Sequence, residues 1–173
     1  MDGTTGSLDR IEQQIDIDAS AERVWELVST AGWWINDDRV VEHRIEEQGS
    51  RVVVHDEKWG AFTLGIESLD APRYAAFRWF SAPPATAEPD PASDALTSTL
   101  VEFWVEDRDG GVVLRVAESG FEGLDRSAEE RRKMFDENTE GWAIELGFAR
   151  DHLANETRAD LGADLPADLP AGR

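Results

Sequence analysis

Apolar residues fall at alternate positions through the middle of this chain. Alternation places successive side chains on opposite faces of a strand, so each alternating segment predicts a strand. Glycine-containing turns separate several of them, which predicts a largely antiparallel sheet. The segments are IEQQIDI (11–17), RVVEHRIEE (39–47), RVVVHDEKW (51–59), AFTLGIESLD (61–70), YAAFRWFS (74–81), TSTLVEFWVED (97–107) and GVVLRVAES (111–119).

Two other stretches show the three- and four-residue period of a helix. DASAERVWELVS (18–29) has an apolar stripe and Ser20 as a plausible N-cap. Near the C-terminus, Ser127 and Glu130 fit a capping box, which predicts the start of a long helix. Gly141 lies inside that helix, where glycine costs roughly 1 kcal/mol relative to alanine. One helix face carries Phe135, Asn138, Trp142, Leu146, Ala149 and Leu153.

The strand alternation also predicts which side chains face the long helix. The inward set is Phe62, Leu64, Ile66, Phe77, Trp79, Val101, Phe103, Val105, Leu114 and Val116. The opposite face is acidic and carries Arg78, Glu102, Trp104, Glu106 and Arg115. We expect ion pairs on that solvated face, where Trp104 either covers the sheet or contacts a protein partner.

Charge narrows the choice of partners. The 173 residues have a formal net charge of −20, and only Lys58 and Lys133 of the seventeen basic residues are lysines. Such a surface repels phosphate, so we predict no nucleic-acid partner and no membrane partner. An acidic surface either steers a cationic ligand or serves solubility.

The chain lacks cysteine, which excludes disulfides and cysteine nucleophiles. It also has no basic segment followed by an apolar run at its N-terminus, and no stretch of about 18 apolar residues. These features predict a cytoplasmic location.

The boundaries follow composition. We predict a flexible segment over 1–9, one domain over 10–154, and a disordered Ala/Asp/Pro-rich tail over 155–173. Within the domain, SAPPATAEPDPASDA (81–95) predicts a mobile loop at the rim of the sheet.

Five segments occur in an order that is typical of one superfamily. They are IDASAERVWELVSTAGWW (17–34), DAPRYAAFRW (70–79), STLVEFWVED (98–107), LRVAESGF (114–121) and GWAIELGFARDHL (141–153). Together they resemble the START-like helix-grip (SRPBCC) superfamily and, within it, the single-domain form of the family named for the activator of heat-shock protein 90 ATPase.

The resemblance implies an α+β helix-grip fold. Its curved antiparallel sheet of about six to seven strands would wrap around the long C-terminal helix, with two short helices after the first strand. It also implies an apolar cavity between sheet and helix, where Gly141 would permit close approach of the helix. The implied ligand-binding residues are Trp33, Trp34, Phe62, Phe77, Trp79, Phe103, Phe135, Asn138, Trp142 and Leu146.

The candidate catalytic residues are His43 and Asp56, which alternation places inward, and Asn138 on the helix face is a further inward polar group. A histidine and a carboxylate in an apolar pocket are able to do acid–base work, because burial changes both pKa values. His43, His55 and His152 have no metal-binding spacing, and no phosphate-binding or nucleophile motif occurs, so we predict no metal and no cofactor.

Three functions remain open from the sequence. The first is a non-catalytic domain that binds a small apolar or aromatic ligand. The second is a cyclase, dehydratase or hydrolase that uses His43 and Asp56. The third is a co-chaperone-like module that binds a protein through Trp104 and the acidic sheet face.

Overall fold

The structure is a computed structural model that describes residues 9–84 and 88–163, with side chains described as far as residue 155. Within these residues the chain forms seven strands, three helices and one turn of 3₁₀-helix. The strands are β1 (Arg10–Ile17), β2 (Arg44–Gln48), β3 (Arg51–Asp56), β4 (Gly60–Asp70), β5 (Tyr74–Phe80), β6 (Ser98–Arg108) and β7 (Gly111–Ser119). The helices are α1 (Ala21–Val28), α2 (Pro91–Thr97) and α3 (Ala128–Ala163), with the 3₁₀ turn at Phe121–Gly123.

The seven strands form one antiparallel sheet in the order β1-β7-β6-β5-β4-β3-β2. The sheet curves around α3, whose apolar face is buried at Trp142, Leu146, Ala149 and Leu153. At the edge of the sheet, the Gln13 side chain donates to the Thr139 carbonyl of α3 at 2.6 Å. The predicted α+β helix-grip architecture is therefore confirmed.

Both predicted helix starts are capped as the sequence indicates. The Ser20 hydroxyl accepts a hydrogen bond from the Arg23 backbone N–H at 3.2 Å. At the start of α3, the Glu130 N–H donates to the Ser127 hydroxyl and the Ser127 N–H donates to the Glu130 carboxylate, each at 3.1 Å. These reciprocal bonds satisfy N–H groups that a helix leaves without internal partners.

The two short helices are placed differently from the prediction. Only α1 follows the first strand, and the chain after it forms the turn that carries Trp33 and Trp34. The second short helix is α2, which begins inside the segment 81–95 that was predicted as a loop and ends at Thr97. A proline at its first position fits the start of a helix, and a buried ion pair described below anchors α2 to the sheet.

The predicted inward position of Ile66 also differs from the structure. Ile66 is 45% exposed and lies where the β4–β5 register shifts, between Ile66 and Ser68; the β4 residues that follow it are exposed as well. The helix α3 extends to Ala163, and the disorder predicted over 155–173 stays a prediction. Residues 1–8, 85–87 and 164–173, which include most of the predicted flexible N-terminus and the end of the tail, lie outside the described residues.

Among the described helices, none combines the length and the apolar character that crossing a membrane requires.

Candidate functional site

Aromatic rings fill the middle of the space between sheet and helix. The Trp34 ring lies 5.5 Å from the rings of Phe77 and Phe103, 5.6 Å from Trp79 and 5.8 Å from Trp142. These centroid distances are typical of favourable edge-to-face and tilted contacts. The predicted interior is thus packed at its centre, and the open space described below lies beside this cluster.

The turn after α1 carries two rings of the interior, Trp33 and Trp34. Gly32 has φ +75°, and a Cβ at this position would come within 2.8 Å of Val54 Cγ2. A side chain at Gly32 would be strained and would also collide with the sheet. The glycine therefore lets the turn lie against β3, which places Trp33 and Trp34 under the concave face.

Two adjoining cavities lie beside the aromatic cluster, and we call them together the helix–sheet cleft. The larger cavity has a volume of about 350 Å³, and the smaller has about 110 Å³. Trp79 and Asn138 line both. Other side chains that line the larger cavity include Phe62, Phe80, Thr99, Glu118, Leu124 and Met134.

Glu118 is the polar centre of the larger cavity. It lies on β7, is 1% exposed, and accepts from Trp142 Nε1 at 2.8 Å and Thr99 Oγ1 at 2.6 Å. Asn138 Nδ2 is 3.1 Å from both carboxylate oxygens. Burial raises the pKa of Glu118, and the three donors oppose that rise by stabilising the charge. Glu118 therefore fixes the Trp142 and Asn138 side chains where they line the cleft.

A second carboxylate, Glu145, lines the smaller cavity together with Trp34, Trp79, Asn138, Gly141 and Trp142. It accepts a hydrogen bond from Asn36 Nδ2 at 2.7 Å. Burial raises its pKa to about 7, against the opposing effect of the Asn36 bond. Near neutral pH this carboxylate therefore exists in both protonation states.

Trp34, which lines the smaller cavity, also carries a buried polar group. The residue is 3% exposed, and its indole N–H has no hydrogen-bond partner among the described residues. Buried donors are nearly always paired, so an unpaired one calls for an explanation. The indole N–H of Trp33 is unpaired as well, although Trp33 lines neither cavity.

Gly141 differs from its predicted role. A Cβ built on it meets no atom within 4 Å, so the glycine does not permit a close approach between helix and sheet. Gly141 instead lines the smaller cavity. Because glycine has no side chain, this space stays open. Gly141 thus lowers helix stability but leaves room in the cavity.

The predicted ligand-binding residues divide into three groups. Phe62, Trp34, Trp79, Asn138 and Trp142 line the cleft. Trp33, Phe77, Phe103 and Leu146 are buried in the packed core and line neither cavity. Phe135 packs against Phe121 with a ring separation of 5.3 Å and also lies outside the cleft lining.

Sequence reasoning missed Thr99, Glu118 and Glu145, although their positions carried a signal. Thr99 is in phase with the inward residues Val101 and Phe103, and Glu118 is in phase with Leu114 and Val116 on β7. Glu145 follows Trp142 by three residues and so shares its helix face. A polar residue in phase with an apolar face is a signal for a buried polar site.

His43 and Asp56 form a hydrogen-bonded pair away from the cleft. His43 Nε2 lies 2.8 Å from Asp56 Oδ1, and the two side chains are 4% and 7% exposed. The other Asp56 oxygen accepts the backbone N–H groups of Lys58 and Trp59. Burial alone would raise the pKa of Asp56, but these bonds and His43 lower it overall.

Neither residue of this pair lines the helix–sheet cleft, and both face a surface groove. The bonds from Lys58 and Trp59 give Asp56 a structural task in the β3–β4 turn. A catalytic role for His43 and Asp56 stays a prediction. Within residues 9–84 and 88–155, no group of three or more histidine, aspartate or glutamate side chains is placed to hold a metal ion.

On the outer sheet face, Trp104 packs against neighbouring side chains. The Arg115 guanidinium lies 4.5 Å from its ring centroid, and the Tyr74 ring lies 5.6 Å away. Arg115 also pairs with Glu106 at 3.2 Å, as expected for a solvated face with ion pairs. Trp104 thus covers part of the sheet surface, and binding of a protein partner there stays a prediction.

The raised pKa of Glu145 makes stability depend on pH. A carboxylic acid whose folded pKa of about 7 exceeds its ordinary 4.5 binds more protons in the folded state, so stability falls as pH rises from about 4.5 to about 7. We expect Glu145→Gln to reduce this fall by about 2 kcal/mol, which discounts the full pKa difference because the carboxylate is only partly buried.

Urea unfolding of both proteins at about pH 5 and about pH 8 measures this difference. The exposed Glu140, five residues before Glu145 on α3, supplies the control Glu140→Gln, which should keep the parent's pH dependence. An equal pH dependence in the parent and in Glu145→Gln would show that Glu145 is not the group responsible.

The fold is similar to that of several solved proteins. MLL2253 from Mesorhizobium loti superposes with a TM-score of 0.58 at 17% identity, over 86% of this chain and 98% of that protein. The Aha1 dimer from Colwellia psychrerythraea superposes with a TM-score of 0.57 at 18% sequence identity, over 83% of this chain and 95% of that protein. DynU16, from the dynemicin biosynthetic locus, superposes with a TM-score of 0.57 at 16% sequence identity. The match covers 84% of this chain and 47% of DynU16.

No family model matches the chain, and no curated protein matches it in sequence. The structural similarities, all below 20% identity, are consistent with an Aha1-like helix-grip fold and concern the fold alone.

Proposed function

We propose that this protein is a non-catalytic domain that binds a small apolar or aromatic molecule in the helix–sheet cleft. The observation that carries the proposal is the larger cavity, whose volume of about 350 Å³ lies within the usual range for small-molecule sites. Its walls are formed by apolar side chains such as Phe62, Trp79 and Met134, with a few polar groups among them.

The polar groups support this proposal because they are held in fixed positions. Glu118 ties Asn138, Thr99 and Trp142 together through hydrogen bonds, so these side chains cannot rearrange freely when a ligand enters. A site that is already organised loses less conformational entropy on binding. An apolar wall with fixed polar groups is the usual form of a small-molecule site.

The fold similarity and the sequence resemblance point in the same direction. Folds of the helix-grip type commonly hold ligands between sheet and helix, and DynU16 comes from a biosynthetic locus. The candidate acid–base pair, His43 and Asp56, lies outside the cleft. This separation favours binding over catalysis within the cleft.

Native mass spectrometry of the freshly purified protein, compared with its denatured mass, tests the proposal. A reproducible extra mass that is lost on denaturation would support it and would give the ligand's weight. If the mass is that of the bare polypeptide, calorimetric titration with small aromatic compounds follows. The absence of binding in both measurements would contradict the proposal.

Two glycines of α3 provide a matched pair of variants. Gly141 and Gly147 both have free space at the Cβ position, but only Gly141 lines the smaller cavity. We expect Gly141→Ala and Gly147→Ala each to raise the free energy of unfolding by about 1 kcal/mol, because alanine favours the helix. Only Gly141→Ala should weaken ligand binding, by about tenfold, because its methyl group occupies the cavity.

Urea unfolding measures the first effect, and calorimetric titration of a ligand measures the second. Equal ligand affinity in the two variants would place the ligand outside the smaller cavity.

A further inference from the structure

We propose that the helix–sheet cleft selects an aromatic ligand that carries a protonated amine, which Glu145 binds as its charge partner. This inference rests on the proposed function and adds the chemical class of the ligand. It follows from three features of the described residues: the sign of the charges that line the cleft, the free hydrogen-bonding capacity of Glu145, and the rings that surround it.

Every ionisable side chain that lines the two described cavities is acidic. These side chains are Glu118, Glu137 and Glu145, and no lysine, arginine or histidine lines either cavity. A carboxylate ligand would therefore be buried among like charges without a cationic partner, which is costly. A cation would find its charge complemented at the same site.

Glu145 is the acidic residue that still has hydrogen-bond acceptor sites to offer. Glu118 already receives donors from three side chains, which occupy both of its oxygens. Glu145 receives the Asn36 amide at Oε1. A carboxylate has about four lone-pair sites, so Glu145 is able to accept the N–H groups of an ammonium ion. Charge-assisted bonds of this kind are about twice as strong as neutral ones.

The surroundings of Glu145 suit a cation attached to a ring. Trp34, Trp79 and Trp142 line the smaller cavity around it. Indole faces attract ammonium groups, and they also stack on an aromatic ring.

The charge of the whole chain acts in the same direction. A formal net charge of −20 produces a negative potential that draws cations towards the surface and repels anions. The acidic surface would therefore raise the rate at which an amine encounters the cleft, and this contribution should weaken as salt is added.

Three probes that share one ring test the inference: naphthylmethylamine, naphthalenemethanol and naphthoate. Each is titrated into the protein by calorimetry at about pH 8, where Glu145, with its pKa of about 7, is mostly ionised and the amine is still mostly protonated. We expect the amine to bind about tenfold more tightly than the alcohol, and the carboxylate to bind more weakly than the alcohol.

The variant Glu145→Gln removes the charge and keeps a side chain of the same shape that still accepts from Asn36. It should bring the affinity for the amine to within about twofold of that for the alcohol, while the affinity for the alcohol changes little. Glu140→Gln removes an exposed charge of the same helix, and it should preserve the preference for the amine.

The outcomes separate this inference from the proposed function. Binding of all three probes with equal affinity, or an amine preference that persists in Glu145→Gln, would overturn the inference and leave the proposed function standing. Binding of none of them to the parent protein would count against both.

Discussion

Replacing Arg51 by methionine is expected to lower the free energy of unfolding by about 4 kcal/mol, because it leaves a buried carboxylate without its partner. Arg51 Nη2 lies 3.0 Å from Asp94 Oδ1, and the two side chains are 5% and 11% exposed. The guanidinium also stacks on the Phe80 ring at 4.6 Å and donates to the Glu88 carbonyl. Urea unfolding followed by circular dichroism measures the loss.

The double variant Arg51→Met/Asp94→Leu is the matched control. Removal of both charges leaves no uncompensated ion, so the double variant should recover most of the stability that the single variant loses. A double variant as unstable as Arg51→Met would show that the loss comes from the packing of Arg51 on Phe80.

The same pair has a consequence for the helix–sheet cleft. It connects α2 to β3. In addition, the Ser81 N–H donates to the Thr97 carbonyl at 2.8 Å and joins the two ends of the β5–β6 connection. The larger cavity is lined by three residues of this connection, Ser81, Ala82 and Pro83. We therefore infer that the Arg51–Asp94 pair helps to hold one wall of the cleft.

Replacing Trp142 by alanine is expected to lower the free energy of unfolding by about 4 kcal/mol as well. The residue is 2% exposed, and its ring lies within 6.3 Å of the rings of Trp34, Trp79 and Phe103. Its N–H donates to Glu118 at 2.8 Å. Removal of the side chain leaves a void and takes a donor away from a buried carboxylate.

Trp142→Phe separates the two contributions. It keeps a ring in the cluster and loses the bond to Glu118, so we expect a cost of about 1–2 kcal/mol. Ile144→Ala, at a 47% exposed position of the same helix, should change stability by no more than about 0.5 kcal/mol. Unfolding followed by circular dichroism avoids the change in tryptophan fluorescence. A cost for Trp142→Phe equal to that for Trp142→Ala would contradict the importance of ring packing.

The sequence contains enough information for most of the architecture. Alternation from Phe62 to Val116 predicts the strands, because a sheet with one buried face requires an apolar residue at every second position. The capping box at Ser127 predicts the start of α3 because its hydrogen bonds are local. Signals of this kind depend only on neighbours in the chain.

The candidate site is predictable only in part, for the same reason. The aromatic residues that face the interior follow from periodicity, but periodicity does not tell a ring that fills the core from one that lines a cavity. Phe103 and Trp79 lie on the same face of the sheet, yet only Trp79 lines the cleft. The difference depends on which side chains of α3 and of the turn at Trp34 arrive opposite each ring.

Single residues show the division most clearly. The sequence by itself determined that Gly141 lies in a helix and that Leu114 and Val116 fall on inward positions of their strand. The tertiary structure decided that Gly141 leaves a cavity, that Arg51 and Asp94, 43 residues apart, meet in a buried pair, and that Glu145 lies beside Trp34 with a raised pKa. Local signals specify where a side chain points, whereas burial, open space and charge partners are set by segments that are distant in the chain and adjacent only once it has folded.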